Sequence, residues 1–476
     1  MKYSAAWVIL TLLAVIHLII GSSILVIFLL LAVCAMGIFS LSINGMSFGG
    51  CVVVLWTIYY GWGSMILKAF LFQPLQDNLI VPEYSALIVF LCTGAVFLVA
   101  TASNILTNKA IFTNKINLAL VNYHSHPVIP YLLLIGIFTQ FLHLYYTSAA
   151  QSGMEKGEGF GGFSVFHPVY LLSVSVLVRS INGPRRLWAV QWLVVAMVSA
   201  VILSVVGNVK KILFDVMLTI LFSAYVFNIK IKYKYILPGS LGMVLLLAYM
   251  GPVVHIMRQD AANLSVIDRV AGAVQLVVEN NFSIEKLSKL QNSIAEGFEI
   301  SFRPDYAYFY PNTINADRYS LISVVDQVAR VDNLQGLYSI SDTFQKGVNA
   351  SLPLVSKDPY TNGDLIAWAY GLRNSSNIAR PVMGQVVNGY VIGGILGAVF
   401  YCAIFVGVFI MIGDMVFGGL NGGVVPVVAI VYFLPFPEQT LDTTIIYAIR
   451  NTVSFLAVLY LYVFVINVSS SFARVR

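Results

Sequence analysis

The chain alternates long apolar runs with short polar joints, and one stretch, residues 255–385, departs from that rhythm. A helix needs roughly 20 apolar residues to cross the hydrocarbon core of a bilayer, and a lone helix satisfies its own backbone there. The runs predict about twelve spans, at 5–20, 23–41, 49–72, 84–103, 127–147, 164–179, 187–206, 211–228, 234–254, 386–412, 422–436 and 445–467. Gly21-Ser22-Ser23 closes the first two into a tight hairpin. In the polar stretch, residues 264–278 and 282–298 repeat apolar positions at helical spacing. RPDYAYFYPN (303–312) is aromatic, carries prolines near both ends, and reads as turn-rich. The pattern divides the chain into an N-terminal bundle of about nine helices (1–254), a large and mostly helical loop or cap (255–385), and about three C-terminal helices (386–476).

Composition gives the same class. Hydrophobic residues make up 59% of the 476 and charged residues 10%, against roughly 25% charged in soluble proteins. The expectation is an all-α polytopic membrane protein whose first helix is retained rather than cleaved as a signal peptide. Cys34, Cys51, Cys92 and Cys402 all lie in apolar runs, with neither disulfide nor zinc spacing. The basic residues orient the chain. With the N-terminus inside, eleven of them, from Lys2 to Arg476, fall on the cytoplasmic side. Both termini are then cytoplasmic, and the large loop is periplasmic in a Gram-negative cell. That loop holds eleven basic and thirteen acidic residues.

Candidate chemistry lies with the cations on the outer side. Lys68, Lys210, Lys211, Arg258, Arg380 and Arg450 all map near the outer interface, and mid-span positions carry almost no charge. Such residues can snorkel or form structural pairs, and Lys211 with Asp215 has the i,i+4 spacing of a helix-surface pair. A group of cations at one membrane level suits an anionic, phosphate-bearing lipid. His17, His143, His167 and His255 also map outward, where a lone histidine is more often an interfacial hydrogen-bonder than a base. His255 stands three residues before Arg258, on one helix face, and is the candidate proton acceptor, with Asp260 and Asp268 as alternatives. YAYFY (306–310) could serve as a sugar-stacking platform. The sequence has no P-loop, dinucleotide fingerprint or HExxH motif. No cofactor, metal or nucleic-acid partner is expected.

Three stretches resemble the bacterial O-antigen polymerases, the Wzy-type oligosaccharide repeat-unit polymerases. VVGNVKKILFDVMLTILFSAYVF (205–227) is similar to the family's Gly-Ser-Arg-Gly segment opening a span. Asn and Lys stand here for Ser and Arg, keeping the charge without the bidentate fork. ASLPLVSKDPYTNGDLIAWAYG (350–371) resembles the loop segment leading to Lys-x-Pro, matched at Lys357 and Pro359. GQVVNGYVIGGILGAVFYCAIFVGVFI (384–410) resembles the glycine-rich span after the loop. Arg373 and Gly384 also stand in an R-x10-G relation. The likeness covers the C-terminal half; the N-terminal half matches only in being hydrophobic.

The resemblance implies a metal-independent glycosyltransferase of GT-C-like fold in the bacterial inner membrane. It would move a growing glycan from undecaprenyl diphosphate onto a fresh lipid-linked repeat unit at the periplasmic face. A chain-length regulator and a flippase are candidate partners, beside the membrane lipids. In that scheme Lys210, Lys211, Arg258 and Arg380 hold diphosphate, with Arg450 at the same level. His255 takes the acceptor's proton, and Lys357 and Arg373 position the donor. An O-antigen ligase or another lipid-linked glycan transferase is the nearest alternative. A carrier is the alternative from another class; broken helices and charge within the spans would be its marks.

Overall fold

The computed structural model describes residues 4–107, 126–148, 161–207, 211–229, 266–287, 320–331, 337–352, 360–372 and 383–475, with isolated positions between them. All regular structure among these residues is helical. The chain is an all-α, multi-pass membrane protein. The expected twelve spans, and the GT-C-like architecture attached to them, are corrected: seven helices among the described residues are long and apolar enough to cross a membrane. They are Ile24–Ile43, Phe48–Phe70, Pro82–Leu106, Phe163–Ser180, Arg186–Val206, Gln385–Phe417 and Leu441–Ser470.

The difference has a physical origin in helix length. Ser4–Ile20, Ile129–Tyr145 and Val424–Glu438 are apolar but too short. Lys211–Val226 has only 16 residues, about 24 Å of rise. The expected span at 234–254 lies almost wholly outside the described residues.

The chain forms two compact units. The first comprises residues 1–112, 299–419 and 433–452. Its core is aromatic: Phe48, Phe409, Phe417, Phe433 and Phe436 pack together, Phe409 and Phe436 stacking at 4.0 Å between centroids. Two buried carboxylates close helix starts in this unit. Asp326 accepts from the Ile80 and Val81 amides at 2.7 and 2.8 Å and from Ser85 Oγ at 2.9 Å. It thereby satisfies donors that Pro82–Leu106 cannot satisfy within its first turn. Asp414 accepts from Ser103 Oγ at 2.8 Å and from the Gly49 amide at 3.4 Å, at the start of Phe48–Thr57. Asp414 is fully buried, three residues before the end of Gln385–Phe417.

The glycine-rich span expected at 386–412 is a broken helix. Gly393 and Gly394 leave helical geometry, and Gly394 takes φ +64°, a left-handed conformation that favours glycine. The preceding residues fold back on those that follow. Tyr401 donates to Gln385 Oε1 at 2.6 Å, and a Cβ on Gly389 would stand 2.6 Å from Ala398 Cα. Gln385–Ile392 is thus a half-length helix lying against the start of a full span that continues to Phe417. Three π-helical turns in this unit, Ile58–Trp62, Cys402–Val406 and Tyr447–Asn451, add local irregularity of a kind common near functional sites.

The second unit comprises residues 113–298, 420–432 and 453–476. Interhelical hydrogen bonds link its helices, as expected where lipid supplies no hydrophobic drive. Tyr170 donates to the Ala196 carbonyl at 2.6 Å, Ser175 meets Ser223 at 2.7 Å, and Ser173 meets Tyr462 at 3.2 Å.

The fold-back predicts a sharp steric limit at Gly389. Gly389→Val should destabilise the protein by about 1–3 kcal/mol through overpacking. Gly94→Ala, where an added Cβ meets only the end of Met36 at 3.9 Å, should leave stability unchanged. Thermal unfolding of the detergent-solubilised protein, followed by size exclusion, checks both.

Candidate functional site

Lys211 opens the helix Lys211–Val226. One turn later, Asp215 turns inward and is 1% exposed. Its Oδ2 accepts from Lys211 Nζ at 2.5 Å and lies 2.8 Å from His167 Nε2. The expected i,i+4 pair therefore forms, and it carries a third member that spacing could not show. His167 begins its own helix, with Pro168 in the first turn, where a missing amide proton costs nothing. The rings of His167 and Tyr432 lie 6.2 Å apart, and Lys211 Nζ is 6.0 Å from the Tyr432 ring. His143, on Ile129–Ser148, is near enough to His167 to interact with it electrostatically.

This geometry sets the proton positions. A carboxylate paired with an ammonium is an acceptor only, so the hydrogen bond at Nε2 requires the proton there. Nδ1 of neutral His167 then presents a lone pair. That atom is buried and has no hydrogen-bond partner among the described residues. Lys211 keeps 39% of its side chain exposed, against 2% for Asp215. The cluster therefore offers a cation to an approaching anion, beside an imidazole held in one tautomer by a buried acid.

The other predicted site residues fare differently. Lys210, His255, Arg258, Lys357, Arg373 and Arg380 lie outside the described residues. Arg450 is exposed in the first unit, its Nε donating to Asn451 Oδ1 at 3.4 Å. Lys68 is fully buried. Its Nζ donates to the Asp77 carbonyl at 3.0 Å and sits 4.2 Å from the centre of the Tyr308 ring, so it is a structural cation rather than one facing substrate. Tyr308 and Phe309 are themselves fully buried, which removes the central part of YAYFY as an open stacking platform.

The first unit holds a second concentration of buried polarity. It lies where the loop helices Ile340–Ser351 and Asn362–Ala369 meet residues 383–388 and 436–444. Asp442 accepts from Thr440 Oγ1 at 2.5 Å and from the Asn362 amide at 3.2 Å. Tyr338 donates to Asn388 Oδ1 at 2.8 Å, and Gln385 Nε2 donates to Thr444 Oγ1 at 2.6 Å. Gly384 enters this region with φ +80°, and a Cβ there would stand 2.4 Å from Tyr60 Oη. Burial pushes the Tyr338 phenol well above its usual range and Tyr370 up to about 12. Both phenols stay protonated donors at neutral pH. Among the described residues no three His, Cys, Asp or Glu side chains gather as metal ligands.

The shared carboxylate predicts unequal costs. Asp215→Ala leaves two polar partners unanswered and should cost about 3 kcal/mol of stability. Lys211→Ala leaves the buried carboxylate without its cation and should cost more, about 3–5 kcal/mol. Thermal unfolding of the two solubilised variants measures the difference. No protein-family model, curated protein or solved structure matches this chain.

Proposed function

We propose that the chain polymerises polyprenyl-diphosphate-linked oligosaccharide repeat units at the outer face of the inner membrane, with both termini cytoplasmic. The growing glycan passes from one lipid carrier to the terminal sugar of a new lipid-linked unit. The observation that carries the reading is the Lys211–Asp215–His167 cluster. Transfer needs a cation for the diphosphate that departs and a base for the hydroxyl that attacks. Lys211 supplies the first, and Nδ1 of His167 the second. Asp215 holds His167 in the working tautomer and stabilises the imidazolium that forms. The sequence resemblance at 205–227 bears on this same helix.

One observation favours a second reading, a carrier of lipid-linked glycan. The break at Gly393–Gly394 is the broken helix expected of that class. Deleting the gene separates the two readings on a gel of surface glycan. Loss of a polymerase leaves lipid A core capped by one repeat unit. Loss of a carrier leaves uncapped core and repeat units trapped inside.

In the complemented deletion strain, Lys211→Ala should reduce long-chain polymer about tenfold or more. His167→Gln should reduce it by roughly 10²–10⁴-fold, the contribution of a general base. Membrane levels must match wild type. Normal polymer from both variants would remove the cluster from the reaction.

A further inference from the structure

We propose that the polar cluster of the first unit is a carbohydrate subsite that binds sugar hydroxyls, with Tyr370 and Asp442 as its principal contacts. The inference rests on the proposed function for the choice of a glycan as the polyhydroxyl ligand.

Tyr370 carries the argument. It is 5% exposed, and its Oη has no hydrogen-bond partner among the described residues. A buried hydroxyl without a partner is uncommon in a folded protein and calls for an explanation. Its phenol remains a donor across the physiological range, since burial raises its pKa to about 12.

Asp442 supplies the complementary half. It is 4% exposed, and the bonds from Thr440 and Asn362 use one site on each oxygen. A carboxylate has about four acceptor sites, so two are left for hydroxyl protons. Tyr338 lies within electrostatic reach of both Asp442 and Tyr370, which places the three polar groups in one locality. Asn362 also donates from Nδ2 to Thr343 Oγ1 at 3.0 Å, and this ties the loop helices to the cluster.

The aromatic neighbours fit the same ligand. Tyr360 and Trp368 pack at 5.6 Å between centroids, both partly exposed, two residues before the capped helix and two before Tyr370, respectively. Partly exposed rings give the apolar face of a pyranose a surface to lie on. Lys346 Nζ lies 4.5 Å from the centre of the Tyr360 ring, so that face is occupied and the stacking falls to Trp368. Phenols, amides, hydroxyls and the open acceptor sites of Asp442 make a set suited to neutral hydroxyls. A phosphate would meet Asp442 as a like charge.

The test uses the full chain in lipid nanodiscs. The probe is the free oligosaccharide released by mild acid from the producing strain's surface polysaccharide; it carries neither lipid nor diphosphate. Calorimetry should show binding to wild type. Tyr370→Phe, which removes one oxygen, and Trp368→Leu should each weaken it about tenfold. Lys211→Ala should bind the free sugar like wild type. Asp442→Asn should also weaken it, and the Tyr370 and Trp368 variants decide the matter if that one fails to fold. Unchanged affinity in both Tyr370→Phe and Trp368→Leu, or no binding to wild type at millimolar sugar, would overturn the subsite. The gene deletion separates this from the wider reading. Long-chain polymer in the deletion strain with weakened binding in Tyr370→Phe leaves a glycan subsite in a protein that is not the polymerase. Polymer loss on deletion with unchanged binding in the variants leaves the polymerase without this subsite.

Discussion

A buried carboxylate must be answered by donors from the protein, and that constraint organises this chain. Asp326, Asp414 and Asp215 are each at most 1% exposed, and water cannot solvate them there. Each is answered differently. Asp326 takes two backbone amides and a serine hydroxyl, so it closes the start of Pro82–Leu106. Asp414 takes a serine hydroxyl and a distant amide, and ties Gln385–Phe417 to two other helices of its unit. Asp215 takes an ammonium and an imidazole. The first two serve backbone and hydroxyl donors, which is structural work. The third holds two groups that can themselves exchange a charge or a proton with a ligand.

The same constraint explains the helix break. Irregular backbone within a membrane survives only where protein covers it. Here the half-helix Gln385–Ile392 lies back along the residues after Gly394, and Gln385 is held by Tyr401, Thr444 and the Phe436 carbonyl. The break lets the chain arrive from the polar loop, turn, and start a full span without leaving polar groups in lipid. It also brings Asn388 to Tyr338 and to the Leu441 amide, so loop residues and membrane residues share one hydrogen-bond network.

What was legible in the sequence was what is local. The apolar runs announced the helical, multi-pass class, and the i,i+4 spacing announced Lys211–Asp215. Helix lengths were less legible, because an apolar residue looks alike whether it spans or packs within a short helix such as Val424–Tyr432. Long-range partners were not legible at all. His167 is 48 positions from Asp215, and Asp326 is 245 from Val81. Gly393-Gly394 read as one more glycine pair in a glycine-rich span, since hydropathy does not register a change in backbone direction. At 306–310 composition marks rings that can stack on sugar, while burial takes Tyr308 and Phe309 out of reach. An acid within an apolar run, as in MIGDMV around Asp414, was the signal available for the buried carboxylates.

The two polar clusters differ in a way that bears on ligand chemistry. The described partners of the Asp215 carboxylate are cationic or can become so, and the net charge there rises by one when His167 takes a proton. Such a site gains from an anion and changes its hold on it with protonation. Around Asp442 the partners are hydroxyl, amide and phenol, and burial keeps the phenols neutral. Such a site has no charge to match a diphosphate, but it has directional donors and acceptors that a ring of hydroxyls can answer. A lipid-linked glycan carries both chemistries on one molecule, a doubly anionic link and a neutral polyol. Tyr370 Oη, buried and without a partner among the described residues, costs stability unless an acceptor reaches it, and a sugar hydroxyl of the proposed substrate is a group able to supply one.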